Sequence, residues 1–155
     1  MAVSGKQFEN RFKLEWEKNF PDSFILRLPD QMSGYKYSNN ICDFICFNDG
    51  ILYLIECKAH KGASIPFTKI SQYDKLLMKA GIKGIRSGVI LYLYEKFRVF
   101  YIPAKTIEKM KKDGKKSVGI KALEEGYRII EIPSEKLRVF MNSDYTILKD
   151  LKEGD

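Results

Sequence analysis

The chain is poor in the residues that build several common sites and scaffolds. Its 155 residues include only three cysteines and one histidine. An odd cysteine count without framework spacing excludes a disulfide-built secreted fold. With His60 as the lone histidine, the H-E-x-x-H zinc signature is excluded and a Ser-His-Asp hydrolase is disfavoured. There is no glycine-rich phosphate loop of the Walker type. No internal repeat, low-complexity tract or Ser/Gly/Pro-rich linker divides the chain, so residues 1–155 read as a single domain. No apolar run approaches the ~20 residues of a membrane span, and the polar start Met1-Ala2-Val3-Ser4-Gly5-Lys6 does not read as a signal peptide. These absences predict a cytoplasmic domain without a membrane partner.

Positive charge is plentiful. Lys and Arg number 27 against 20 Asp and Glu, a net charge of +7. The hydrophobic content of 45%, with aromatics at 13%, is enough for a real core. A basic surplus suits a polyanionic partner, nucleic acid first and anionic membrane second, although a solubility surface carries charge too.

Ser4 and Gln7 have capping-box spacing, and Phe8, Phe12 and Trp16 then recur every four residues, which predicts a helix ending near Asn19–Asp22. Phe24–Leu28 reads as a strand, followed by a loop from Pro29 to Asn39. Two strands, Ile41–Phe47 and Ile51–Ala59, flank Asn48-Asp49-Gly50, and Asp-Gly between β-rich runs is a strong hairpin signal. Pro66 is expected to open a helix that Gly81 closes. Strands are expected at Val89–Tyr94 and Phe97–Ile102, then a Lys-rich helix at Ala104–Lys112. A short helix near Lys121–Glu125 and strands near Tyr127–Ile132 and Leu137–Met141 complete the reading. The order gives an α/β fold with a mixed sheet between helices.

The chemistry sits in the hairpin. With Asp49-Gly50 as the two residues of a primed turn, Asp43 falls opposite Glu56, and Lys58 points the same way as Glu56. Ile41, Ile45, Leu52 and Leu54 share that face, so the charges border a core. Two opposed carboxylates repel unless something offsets them. A divalent cation does so, and Mg²⁺ takes carboxylate oxygens, water and phosphate oxygens. Lys58 beside it can orient an attacking water or stabilise phosphate charge; the plainer alternative is a cross-strand ion pair. Glu9, about 100° from Phe8 on the first helix, borders the apolar stripe. It either joins this site or pairs with Lys13.

Asp43 followed by Glu56-Cys57-Lys58 resembles the D…(D/E)-x-K signature of the PD-(D/E)xK nucleases, with Glu9 as the acidic residue of the preceding helix. The segments Gly5-Lys6-x-Phe8-Glu9, Cys42-Asp43-Phe44-Ile45 and Ala63-Ser64-Ile65-Pro66-Phe67 resemble Holliday junction resolvases of the RecU type. The compact length and spacing are also similar to archaeal resolvases. The similarity spans about residues 5–100. Cys42, where the family has proline, precedes Asp43, and Pro29–Asn40 is short where RecU-type enzymes carry a long stalk. The resemblance implies a restriction-endonuclease-like mixed central sheet flanked by helices. It also implies a Mg²⁺-dependent endonuclease acting on four-way junctions in recombination and repair, with Mn²⁺ able to substitute. It assigns Asp43, Glu56 and the main-chain carbonyl of Cys57 to the metal, Lys58 to water and phosphate, and Glu9 to a supporting role. Two paired cuts in a two-fold symmetric junction imply a homodimer. A nuclease for duplex, flap or single-stranded DNA and a non-catalytic DNA-binding module are the alternatives.

Further DNA contacts are expected from Tyr35, Lys36 and Tyr37 by stacking on unpaired bases and from His60, Lys61 and Ser64 near phosphates, and the resemblance implies a further one from Gln72 on the helix after Glu56-Cys57-Lys58. Cys42 and Cys57 are expected to face each other across the hairpin as buried small side chains. The lysine run 109–116 suits either phosphate contact or ordinary solvation.

Overall fold

The computed structural model describes residues 2–29, 40–70 and 73–155. Helix α1 (Gly5–Asn19) starts as its spacing predicts: the Gln7 amide donates to Ser4 Oγ at 3.1 Å and the Ser4 amide to Gln7 Oε1 at 3.2 Å. Phe8, Phe12 and Trp16 are buried along one stripe. Strands β1 (Phe24–Arg27), β2 (Phe44–Asn48) and β3 (Ile51–His60) follow, then β4 (Ser64–Pro66) and a 3-10 turn at Phe67–Lys69. Helix α2 (Tyr73–Lys79) leads into β5 (Ile85–Leu93), β6 (Arg98–Pro103) and α3 (Ala104–Lys112). The last part holds β7 (Ser117–Gly119), α4 (Ile120–Glu124), β8 (Ile130–Ile132), β9 (Ser134–Lys136), β10 (Met141–Ser143) and a 3-10 stretch at Tyr145–Asp150.

The central sheet has the order β1-β2-β3-β5-β6-β8. Only β3–β5 is parallel, from Leu52↔Ile85 to His60↔Leu93, and α2 lies in the crossover that such a pairing requires. The other neighbours are antiparallel. Alternation along the strands builds two cores. Tyr53, Ile55, Cys57, Ile90 and Tyr92 pack under α1 and the terminal 3-10 stretch, while Leu54, Val89, Leu91 and Phe100 pack under α2 and α3. This is the expected α/β architecture, a mixed sheet flanked by helices.

The hairpin turns as the sequence predicts. Asp49 (φ 50°) and Gly50 (φ +79°) both have positive φ, as a type I′ turn demands, and Asn48 pairs with Ile51. Three expectations shift. Pro66 ends β4 instead of opening a helix; it pairs with Ser117 on a two-stranded ribbon, where a missing N–H is tolerated at a strand end. The strand expected at Tyr127–Ile132 begins only at Ile130, because the Tyr127 amide caps α4 on Ala122 and Thr106 Oγ1 holds the Arg128 carbonyl at 2.6 Å. Leu137 and Phe140 close the turn between β9 and β10 and do not lie within a strand. No helix among the described residues is long and apolar enough to cross a membrane.

The β4–β7 ribbon depends on a close approach. A Cβ on Gly119 would lie 2.0 Å from the Ala63 carbonyl oxygen and 2.6 Å from Ser64 Cα, both backbone. Gly119→Ala is therefore expected to cost about 2 kcal/mol or more in urea unfolding, the range of core overpacking. An unchanged midpoint would show that the ribbon does not close as described.

Candidate active site

Asp43 occupies the last position before β2. Its amide donates to the Ile55 carbonyl at 3.0 Å and its carbonyl accepts from Leu28 at 2.8 Å, so the backbone is fixed from both sides although the ladder stops at Phe44↔Ile55. Asp43 Oδ2 accepts the Cys57 amide at 2.8 Å. In an extended strand the N–H and C=O of one residue point to the same side, so the Cys57 carbonyl also faces the Asp43 edge.

Glu56 and Lys58 leave β3 on the face opposite Ile55 and Cys57. Glu56 is 4% exposed, and Lys58 Nζ stands 3.5 Å from its Oε1. The Asp43 carboxylate is close enough for its charge to act on Glu56. Burial and the Asp43 charge push Glu56 up to about 8, with Lys58 only partly offsetting them. Burial also raises Asp43, against the Cys57 amide, while Glu9 adds repulsion. At neutral pH Glu56 therefore keeps its proton. A hard dication would relieve the same repulsion, so the donor set fits Mg²⁺. Among the described residues no group of three His, Cys, Asp or Glu side chains is arranged to hold a metal.

Glu9 approaches from the α1 side, and its charge is felt by both carboxylates. Arg27 Nη2 holds its Oε2 at 2.5 Å. Sequence reasoning missed Arg27; its signal is strand alternation, since Arg27 pairs with Phe44, which packs under α1. His60 ends β3, and burial followed by Lys69 and Lys61 lowers its pKa, leaving it neutral at pH 7. Lys69 was also missed. Lys61 is exposed beyond β3, and Ser64 is exposed on β4 opposite Gly119. Tyr35, Lys36, Tyr37 and Gln72 lie outside the described residues.

The cysteines differ from expectation. Cys57 lies in the core under α1, whereas Cys42 lies in the core under α2, because the chain has left the ladder before Phe44 and Cys42 Sγ contacts the Phe44 carbonyl at 3.1 Å. They do not face each other. Hollows of about 560 and 670 Å³ border Arg128 and Asp155 and are lined by neither carboxylate.

Neither a protein-family model nor a curated protein matches the sequence. Among solved structures, the chain is similar to Hjc, a Holliday junction resolvase from the archaeal hyperthermophile Archaeoglobus fulgidus. The identity is 19%, the TM-score 0.58, and the match covers 79% of this chain and 94% of that one. The two share a fold.

Proposed function

We propose that this chain is a single-domain, Mg²⁺-dependent DNA endonuclease of the PD-(D/E)xK type that cuts four-way junctions as a homodimer in the cytoplasm. The observation that carries the reading is the buried Asp43–Glu56 pair with Lys58 at 3.5 Å from Glu56, set in a fold shared with a Holliday junction resolvase.

Asp43, Glu56 and the Cys57 carbonyl would hold the cation, which supplies Lewis-acid stabilisation of phosphate oxygens when bound; Mn²⁺ meets the same donor set. Lys58 orients the attacking water and offsets negative charge gathering on the phosphate. Glu9, held by Arg27, positions water at the edge of the pair. Water oxygen bonds to phosphorus as the 3′ oxygen leaves with a proton, giving 5′-phosphate and 3′-hydroxyl ends. His60, Lys61 and Ser64 contact neighbouring phosphates as hydrogen-bond or charge partners, and Tyr35, Lys36, Tyr37 and Gln72 are proposed to join them. One carboxylate pair per chain and two symmetric cuts per junction account for the dimer.

The test is incubation with Mg²⁺ and end-labelled four-way junction, Y-fork and linear duplex, followed by mapping of the cuts. Paired symmetric cuts in the junction alone are expected, lost in EDTA. Equal cutting of linear duplex would replace the junction reading with a general DNase. Binding without any cutting would leave a DNA-binding module.

A further inference from the structure

Apart from Lys61, the lysines around β4 and β7 play no part in the chemistry above, yet they flank the ribbon that follows its strand. β3 ends at His60, and Gly62 (φ +82°) turns the chain into β4. β4 pairs with β7, and the Phe67 amide continues the ribbon by donating to the Lys116 carbonyl at 3.0 Å. Lys116 lines two adjoining hollows. One, of about 330 Å³, also has Ser64, Ser117 and Lys121 in its wall; the other, of about 340 Å³, has Thr68 and Lys111.

Charge here is only partly neutralised. Lys115 lines both hollows but is bound to Glu125 at 2.7 Å. Lys111 is steadied by the Tyr73 ring, 4.0 Å from Nζ to the centroid. Exposed Lys116 and Lys121 have no carboxylate within ion-pair distance among the described residues. On the side towards β3, Lys61 and Lys69 are near enough to His60 to lower its pKa. Like charges gathered in the segments that flank one short ribbon repel, and a string of phosphates relieves that repulsion. The hydroxyls of Ser64, Thr68 and Ser117 between them are of the type that contacts sugar-phosphate backbone.

We propose that the β4–β7 ribbon is a docking track for the phosphodiester backbone of a duplex arm, with Lys116 and Lys121 as its main phosphate contacts. The proposal rests on the DNA reading above and places a second contact region beyond the carboxylate pair. Backbone contacts of this kind add affinity without reading sequence.

Lys116→Gln/Lys121→Gln in the full chain is compared with wild type and with Lys149→Gln/Lys152→Gln. The control pair lies at and just beyond the terminal 3-10 stretch, which packs on the opposite face of the sheet. A labelled four-way junction is titrated in EDTA at several salt concentrations. The ribbon variant is expected to bind about tenfold more weakly near 0.1 M salt, with a log–log salt slope lower by about two; the control pair matches wild type. Unchanged affinity, or weaker binding with an unchanged slope, overturns the proposal. So does an equal loss in the control pair. Cleavage by wild type in Mg²⁺ is scored separately, so a protein that binds through the ribbon but never cuts would sink the nuclease reading alone. A wild type that binds no DNA would sink both.

Discussion

Asp43→Asn is expected to reduce junction cleavage in Mg²⁺ by about a thousandfold or more, with junction binding kept within a few-fold of wild type. Asn keeps the size of the side chain and one acceptor oxygen for the Cys57 amide, so the corner before β2 should stay closed. What it removes is a charge from the pair that would hold the cation. Losing a negative group also lessens repulsion with DNA phosphates, so affinity has no reason to collapse. Lys58→Ala should remove cleavage on a comparable scale with a modest loss of binding, because its ammonium stands 3.5 Å from Glu56. Single-turnover cleavage and band-shift titration on the same preparations measure both quantities. A variant that cuts at close to the wild-type rate would mean that the site is elsewhere.

The pH dependence of stability gives the second large effect. Glu56 is raised from about 4.5 to about 8 on folding, so the folded state keeps a proton that the unfolded state releases. The stabilising contribution of that proton is fully present below about pH 4.5 and is lost as pH rises through about 8. Between those limits it lowers stability by about 1.4 kcal/mol per pH unit, the slope of one proton bound by the folded state alone. Asp43, also raised, acts in the same sense. Urea unfolding in EDTA at pH 6, 7 and 8 should show this decline in wild type, and Glu56→Gln should flatten it. Adding Mg²⁺ should recover more stability at pH 8 than at pH 6, because protons compete for the same oxygens. If Glu56→Gln unfolds with the wild-type slope, the buried pair is not the origin of the dependence.

The parts of the site legible in the sequence are those set by neighbours in the chain. The capping box placed α1, the four-residue aromatic spacing placed Glu9 at the edge of a buried stripe, and Asp-Gly fixed the register that brings Asp43 towards Glu56. What escaped depends on distant partners. Arg27 reaches Glu9 from another element, and Glu15, buried at the base of α1, is tied to Arg11 at 2.6 Å and accepts the Ser143 amide of β10. The strands expected near Tyr127–Ile132 and Leu137–Met141 were misplaced for the same reason. Tyr53, Tyr92 and Tyr101 of the sheet donate to the carbonyls of Leu148, Val139 and Asp155, and such ties leave no periodicity in the segments they pin. Pro66 misled because proline suits both a helix start and a strand end, and only pairing with Ser117 decides between them.

The division of the cysteines between the two cores bears on how this protein meets oxidants. All three thiols are buried, and burial pushes Cys42 up to about 12 and holds Cys46 and Cys57 well above the ordinary range. The thiolate is the nucleophile that attacks peroxides and disulfides, so the folded chain offers such reagents almost nothing. Reactivity returns only where a layer opens. Cys42 then reports on the layer beneath α2, and Cys46 and Cys57 on the layer beneath α1. Alkylation rates at the three sulfurs would thus separate local opening of one layer from loss of the whole sheet, with no label added to the chain.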